Sequence, residues 1–291
     1  MNRSAVFAVI GGDVRQAYLA ALLHMDGYDI HTFALERRPL QGCRPMSDLR
    51  IDLAAVQAVI LPLPVQHGDR ELNAPLTNSS HMLKDILNAI PADTLILAGA
   101  VPRWMYGYAL QNRLRLIDYL ARDDLAIRNA VPTCEGALQL AMEHTEHTIQ
   151  DSRCLVIGYG RIGEMLARKL QALGAKVTVS ARSARDFARI ESAGMRVLDT
   201  RYLAGRLTPF HIIFNTAPAP VLGSVELSDT MSPCLVIDLA SEPGGIAPDA
   251  QPPADCHIIH ALSLPGKVAP LSAARAIHHT ILTILQEEGK L

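Results

Sequence analysis

The sequence predicts an α/β protein of two doubly wound parallel-sheet units, joined by a long helix, with a final helix returning to the first unit. Three observations carry this expectation. Short apolar runs of strand length alternate with stretches of helical period along the chain, the pattern of parallel sheets covered on both faces. The 291 residues suffice for two domains of ordinary size. The stretch from Cys154 to Ser183 reads as strand, glycine-rich loop, helix and second strand.

Composition narrows the class. Hydrophobic residues make up 49% and charged residues 19%, as in soluble globular proteins. A net charge of −2 gives no electrostatic case for nucleic acid or an anionic membrane surface. No apolar run approaches the roughly 18 residues of a membrane span, and the apolar start is too short for a secretory signal. Cys43, Cys134, Cys154, Cys234 and Cys256 form no C-x-x-C pair, so a reducing, cytoplasmic setting is expected. Cys154 and Cys234 lie in apolar runs and read as small hydrophobes. His144 and His147 have no partner cluster and are expected to face solvent or cap; no metal is expected.

The first unit, residues 1–130, begins with a buried-strand candidate at Ala5–Ile10 ending in Gly11-Gly12. A helix follows from Asp13, a suitable N-cap, to Met25. Gly11-Gly12-Asp13-Val14-Arg15-Gln16 is similar to a dinucleotide loop but lacks a third glycine, so a tight capped turn is an equal reading. Further strands are expected at Ile30–Leu35, at Ala58–Leu61 before Pro62 and Pro64, at Thr94–Ala98 and at Leu114–Asp118. Helices are expected near Ser80–Ile90 and, shorter, before Leu114. Ala121–Val131 reads as a polar connection. A linking helix within 131–150 is expected to start at Pro132, which suits a first turn, and to run to about His147.

The second unit, residues 151–268, holds the clearest motif. Cys154–Ile157 is the strand, and Gly158-Tyr159-Gly160-Arg161-Ile162-Gly163 fits G-x-G-x-x-G before a helix that stops at Gly174. Gly158 permits the turn, Gly160 admits a pyrophosphate to the backbone, and Gly163 lets helix pack on strand, the Rossmann-like arrangement. The phosphates would meet the helix's free N–H groups. The strand Lys176–Val179 then ends in Ser180-Ala181-Arg182-Ser183, where NAD-specific sites usually place a carboxylate. Arg182 could grip a 2′-phosphate, with the serines adding hydrogen bonds, so NADP is the expected cofactor. NAD also fits, because nothing here repels a free ribose. Strands at Phe210–Phe214, Cys234–Leu239 and His257–Ala261 follow. Asn215-Thr216-Ala217 and Leu239-Ala240-Ser241 are expected beside the nicotinamide, although Asn215 could equally cap a turn. Residues 269–291 contain the last helix, Leu271–Gln286, expected to pack on the first unit.

Taken in order, GGDVRQ, NAVPTCEGALQLAMEHTEHTI, GYGRIG, ARS, NTAP, DLASEPGG and LPGKVAP resemble the dipicolinate synthase A subunit over nearly the whole chain. The resemblance implies a pyridine-nucleotide oxidoreductase acting on a CH–CH donor, converting dihydrodipicolinate to dipicolinate, the diacid of bacterial spores. It also implies a domain arrangement similar to 2-hydroxyacid dehydrogenases, together with a flavoprotein-like second subunit; self-association stays open. Those dehydrogenases are the rival identity. They carry an arginine after the strand corresponding to CLVIDLAS, where this chain has Ser241-Glu242, and a histidine after a proline, where Pro265 is followed by Gly266. A non-catalytic subunit that binds cofactor and organises a partner is the second alternative.

A planar diacid needs two anion-binding centres. Arg15 and Lys267, in a loop closing the second sheet, are the candidates, helped by N–H groups at the start of the helix holding Glu135 and Gly136. Glu135 is the candidate general base, its basicity raised by partial burial.

Overall fold

The computed structural model describes residues 5–291. The described residues divide into two compact units, one of residues 5–129 with 269–291 and the other of residues 130–268.

In the first unit the elements are β1 (Val6–Ile10), α1 (Val14–Met25), β2 (Asp29–Phe33), β3 (Arg44–Pro45), α2 (Leu49–Asp52), β4 (Ala58–Ile60), β5 (Gln66–His67), β6 (Glu71–Leu72), α3 (Leu83–Ala89), β7 (Leu95–Ala98), α4 (Arg103–Gln111) and β8 (Arg115–Asp118). The sheet order is β3-β2-β1-β4-β7-β8, with parallel pairing throughout; β5 and β6 form a small antiparallel hairpin. Short strands such as β4, with every residue buried, are those a parallel sheet covered on both faces requires.

Next comes α5 (Asp123–Glu143), and here the structure corrects the sequence. Ala121–Val131 is not a polar connection: most of it is the first turns of α5, and Pro132 lies inside the helix. Asp123 and Asp124 favour the positive end of the helix dipole, and Leu125, Ala130, Cys134, Ala137, Leu138 and Ala141 bury one stripe along it. That burial outweighs the hydrogen bond a proline removes.

The second unit contains β9 (Arg153–Ile157), α6 (Arg161–Ala172), β10 (Lys176–Ala181), α7 (Ala184–Ser192), β11 (Arg196–Asp199), β12 (Ile212–Asn215), α8 (Ser224–Ser228), β13 (Cys234–Asp238), β14 (Cys256–His260) and α9 (Leu264–Val268). Its parallel sheet runs β11-β10-β9-β12-β13-β14. The direction of strand addition reverses at β9, so the switch point lies between β9 and β12, where such sheets bind ligands at their carboxyl ends. A further correction falls on Leu264–Val268, expected as a loop, which forms the short helix α9. Leu264 and Val268, four residues apart, both join the core of this unit.

The last helix, α10 (Pro270–Glu287), packs on α1 in the first unit. Its Ala276, Ile277, Ile281, Ile284 and Leu285 share a core with Leu19, Ala20 and Leu23. Among the described residues no helix is long and apolar enough to cross a membrane. All five cysteines are free and four are buried, in keeping with small hydrophobes; burial pushes the Cys154 thiol up to about 12.

Candidate functional site

The glycine loop at the end of β9 owes its shape to its three glycines. Gly158 adopts φ +95°, and a Cβ on it would meet the Thr216 hydroxyl at 2.6 Å. A Cβ on Gly163 would lie 2.1 Å from the Gly158 carbonyl oxygen, so α6 packs on β9 only because that atom is missing. Gly160 differs: extended backbone at the N-cap of α6, with nothing within 4 Å of where its Cβ would stand. The space over Gly160, at the N-terminus of a twelve-residue helix, is open, as close approach of a ligand to the backbone requires.

Neighbouring strand ends are tied to this loop. The Gly158 N–H donates to the Ser180 carbonyl at 2.8 Å, and the Thr216 N–H and hydroxyl donate to the Ile157 carbonyl at 2.8 and 2.9 Å. The Leu239 N–H donates to the Asn215 carbonyl at 2.8 Å. Residues 158–163, 180–182, 215–217 and 239–241 therefore stand in one row along the carboxyl edge of the sheet.

The side chains in that row divide sharply. Tyr159 turns inward to the core, beneath the Arg189 guanidinium 5.1 Å from its ring centre, leaving only its backbone to the loop. Arg161 is exposed and Ile162 half-buried. Ser180 is fully buried and its hydroxyl accepts from Thr200, so it cannot supply the expected phosphate contact. Ala181 is buried too. Ser183 caps α7 by accepting from the Asp186 N–H, whereas Arg182 stands exposed at the end of β10.

Asn215 is fully buried: its amide donates to the Ala217 carbonyl and, at 2.8 Å, to Asp238. Thr216 and Ala217 are half-buried; Leu239 and Ala240 are buried, and Ser241 is exposed. Sequence reasoning missed Asp238. Only 2% exposed, it also accepts from the Ala240 N–H at 3.1 Å and the Gly245 N–H at 2.9 Å, holding both loops in place. The sign was a carboxylate ending the otherwise apolar run CLVID, where an isolated charge is costly to bury.

The expected substrate residues fare differently. Arg15, 8% exposed, donates through Nε and Nη2 to Asp13 and through Nη2 to the Leu63 carbonyl at 2.7 Å, so its charge is already paired. The turn before it is packed rather than open, since a Cβ on Gly11 would meet Leu72 at 2.6 Å and one on Gly12 would meet Gln16 at 2.5 Å. Asp13 caps α1, as the capped-turn reading requires.

Glu135 is exposed and paired with Lys169 at 3.2 Å, so the expected partial burial is absent. Because α5 begins at Asp123, Glu135 and Gly136 lie inside the helix and offer no free helix-start N–H groups, which corrects the second expectation. Lys267 is exposed on α9, and a Cβ on Gly136 would lie 3.2 Å from Leu264 and Val268, so α5 and α9 adjoin there. His144 and His147 pack against His257 and His211, with ring centres 5.1 and 5.0 Å apart.

Known proteins share this arrangement. Residues 6–120 match the N-terminal domain of the dipicolinate synthase A subunit, and residues 125–219 match the D-isomer specific 2-hydroxyacid dehydrogenase NAD binding domain. The dipicolinate synthase A subunit of Bacillus subtilis (strain 168) is 33% identical over 290 residues, covering 97% of this chain and 98% of that protein. The crystal structure of the same subunit from Bacillus halodurans superposes with a TM-score of 0.88 at 29% identity, covering 97% of each chain. That of the Bacillus subtilis protein gives 0.86 at 32%, covering 99% of this chain and 98% of the other. With the nucleotide-binding unit built as a dehydrogenase builds it, and the likeness running from end to end, the chain belongs to the dipicolinate synthase A subunit family.

Proposed function

We propose that the chain oxidises dihydrodipicolinate to dipicolinate, with NADP as hydride acceptor, in company with a flavoprotein-like second subunit. Membership of the dipicolinate synthase A subunit family over 97% of the chain is the observation that carries this reading. The open Gly160 supports it, because a dinucleotide needs close backbone approach there.

The reaction removes two hydrogens from the substrate, one as hydride and one as proton, and leaves an aromatic ring. When bound, the nicotinamide supplies the hydride acceptor. The chain's own groups hold and orient the reactants. Backbone N–H groups of Gly160–Gly163 and the positive end of α6 receive the pyrophosphate. Arg182, exposed and with no carboxylate on it among the described residues, receives the 2′-phosphate. The loops Asn215–Ala217 and Leu239–Ser241, pinned by Asp238, would hold the nicotinamide. Lys267 takes one substrate carboxylate. In the first unit Arg15, partly neutralised by Asp13, is a weaker receptor for a carboxylate. Glu135 would accept the proton by exchanging its partner Lys169 for it. The gain in ring aromaticity lowers the demand on that base.

NADPH formation from dihydrodipicolinate, followed by absorbance for the chain alone and with the second subunit, is the test. The reading expects NADPH in at least one condition and a raised KM in Lys267→Ala. No NADPH or NADH under either condition contradicts it and leaves the alternative of a non-catalytic cofactor-binding subunit.

A further inference from the structure

The amino edge of the second sheet, at the other end of the strands from the glycine loop, carries groups that the reaction does not use. Arg153, Lys176 and Arg196 are the first residues of β9, β10 and β11. Arg153 and Lys176 are direct partners across β9 and β10, and Arg196 is the partner of Thr178, two residues beyond Lys176. The two-residue period of a strand sets all three cations in one row on one face.

Like charges side by side on neighbouring strands repel, so such a row calls for a counter-charge. The chain provides little. Asp151 stands 3.4 Å from Lys176, with both side chains largely exposed, and no carboxylate pairs with Arg196 among the described residues. The Arg153 guanidinium donates to the Pro209 carbonyl and lies 3.2 Å from His211 Nε2. Burial, with Arg153, His147 and Lys176 around it, holds the His211 pKa below the ordinary histidine range.

These cations border a cavity of about 330 Å³, lined on their face of the strands by Thr178 and Phe210. That volume falls in the range of small-molecule sites, and an apolar lining with a few converging charges is their usual make-up. A bare inorganic anion would leave the apolar lining unused, whereas a flat ring would cover it and an attached carboxylate would meet the guanidinium forks. We propose that this cavity binds a small planar carboxylate, its ring beside Thr178 and Phe210 on the face that the cations share and its charge among Arg153, Lys176 and Arg196. The site lies about 16 Å from the glycine loop, the length of the five-residue strand β9, so its occupant does not compete with a dinucleotide.

Benzene-1,3-dicarboxylate and inorganic phosphate, titrated calorimetrically into the full chain, test the proposal, with the His211 ring followed by NMR. The dicarboxylate should bind at least tenfold more tightly than phosphate and raise the His211 pKa on saturation. The double variant Lys176→Gln with Arg196→Gln removes exposed charges only, so it should keep the wild-type melting temperature and lose at least tenfold in affinity. Absent binding, phosphate binding as tightly, an unmoved His211, or unchanged affinity in the double variant would each overturn it.

Discussion

Three glycines of one loop, alike in sequence, differ in what surrounds them. A Cβ on Gly163 collides with the Gly158 carbonyl, an atom of backbone that cannot swing away. Gly163→Ala should therefore destabilise the fold by about 1–3 kcal/mol, the usual cost of overpacking, measured by chemical denaturation. The G-x-G-x-x-G spacing disclosed this site in the sequence because backbone sterics admit little else there. Asp238 stayed hidden because its role depends on the Asn215, Ala240 and Gly245 partners that only the fold brings to it. Asp238→Ala would strand those donors at about 1–3 kcal/mol for each one left unpaired, and unfolding should show a loss greater than that of Gly163→Ala. At Arg182 the effect is on binding alone. Arg182→Ala should weaken NADP by about 1.5–3 kcal/mol and NAD much less, compared by titration of both cofactors.

Among the elements, α5 shows how the reading of a sequence goes astray. Proline suits a helix start, and a polar stretch before it suits a connection, yet the acidic first turn at Asp123-Asp124 and the apolar stripe from Leu125 onward carry the helix through Pro132. The displaced start removed the free N–H groups assigned to Glu135 and Gly136. Asp124 is also where α10 is fastened: the Thr280 hydroxyl donates to it at 2.7 Å. Burial raises the Asp124 pKa, but the bonds from Thr280 and Arg122 outweigh it and leave the carboxyl below its ordinary value. With the folded pKa depressed, this contact contributes in full above about pH 3.9 and is lost as pH falls through the lower folded value. Thr280→Val should cost about 1.5–3 kcal/mol at pH 7 and much less at pH 2, read from urea unfolding at both.

The molecule as a whole repeats one plan with two outcomes. Both sheets reverse their strand order beside the first strand of the unit, and both place glycines there. In the first unit Leu72 and Gln16 fill the space over Gly11 and Gly12, while in the second the space over Gly160 is empty. The alternation of apolar runs and helical stretches made the two-sheet architecture legible, since burial on both faces dictates composition. Which glycine loop is open was not legible, because Leu72, which fills the space over Gly11, comes from the distant hairpin strand β6. That contrast makes Gly160→Val unusually clean, for a Cβ there meets nothing within 4 Å in the folded chain and stands where a pyrophosphate would lie. The decisive measurement is the affinity of this variant for NADPH beside that of the wild type, with the melting temperature of each as the control. The expected result is an unchanged melting temperature with binding abolished; undiminished affinity in the folded variant would contradict the assignment of the cofactor to this loop.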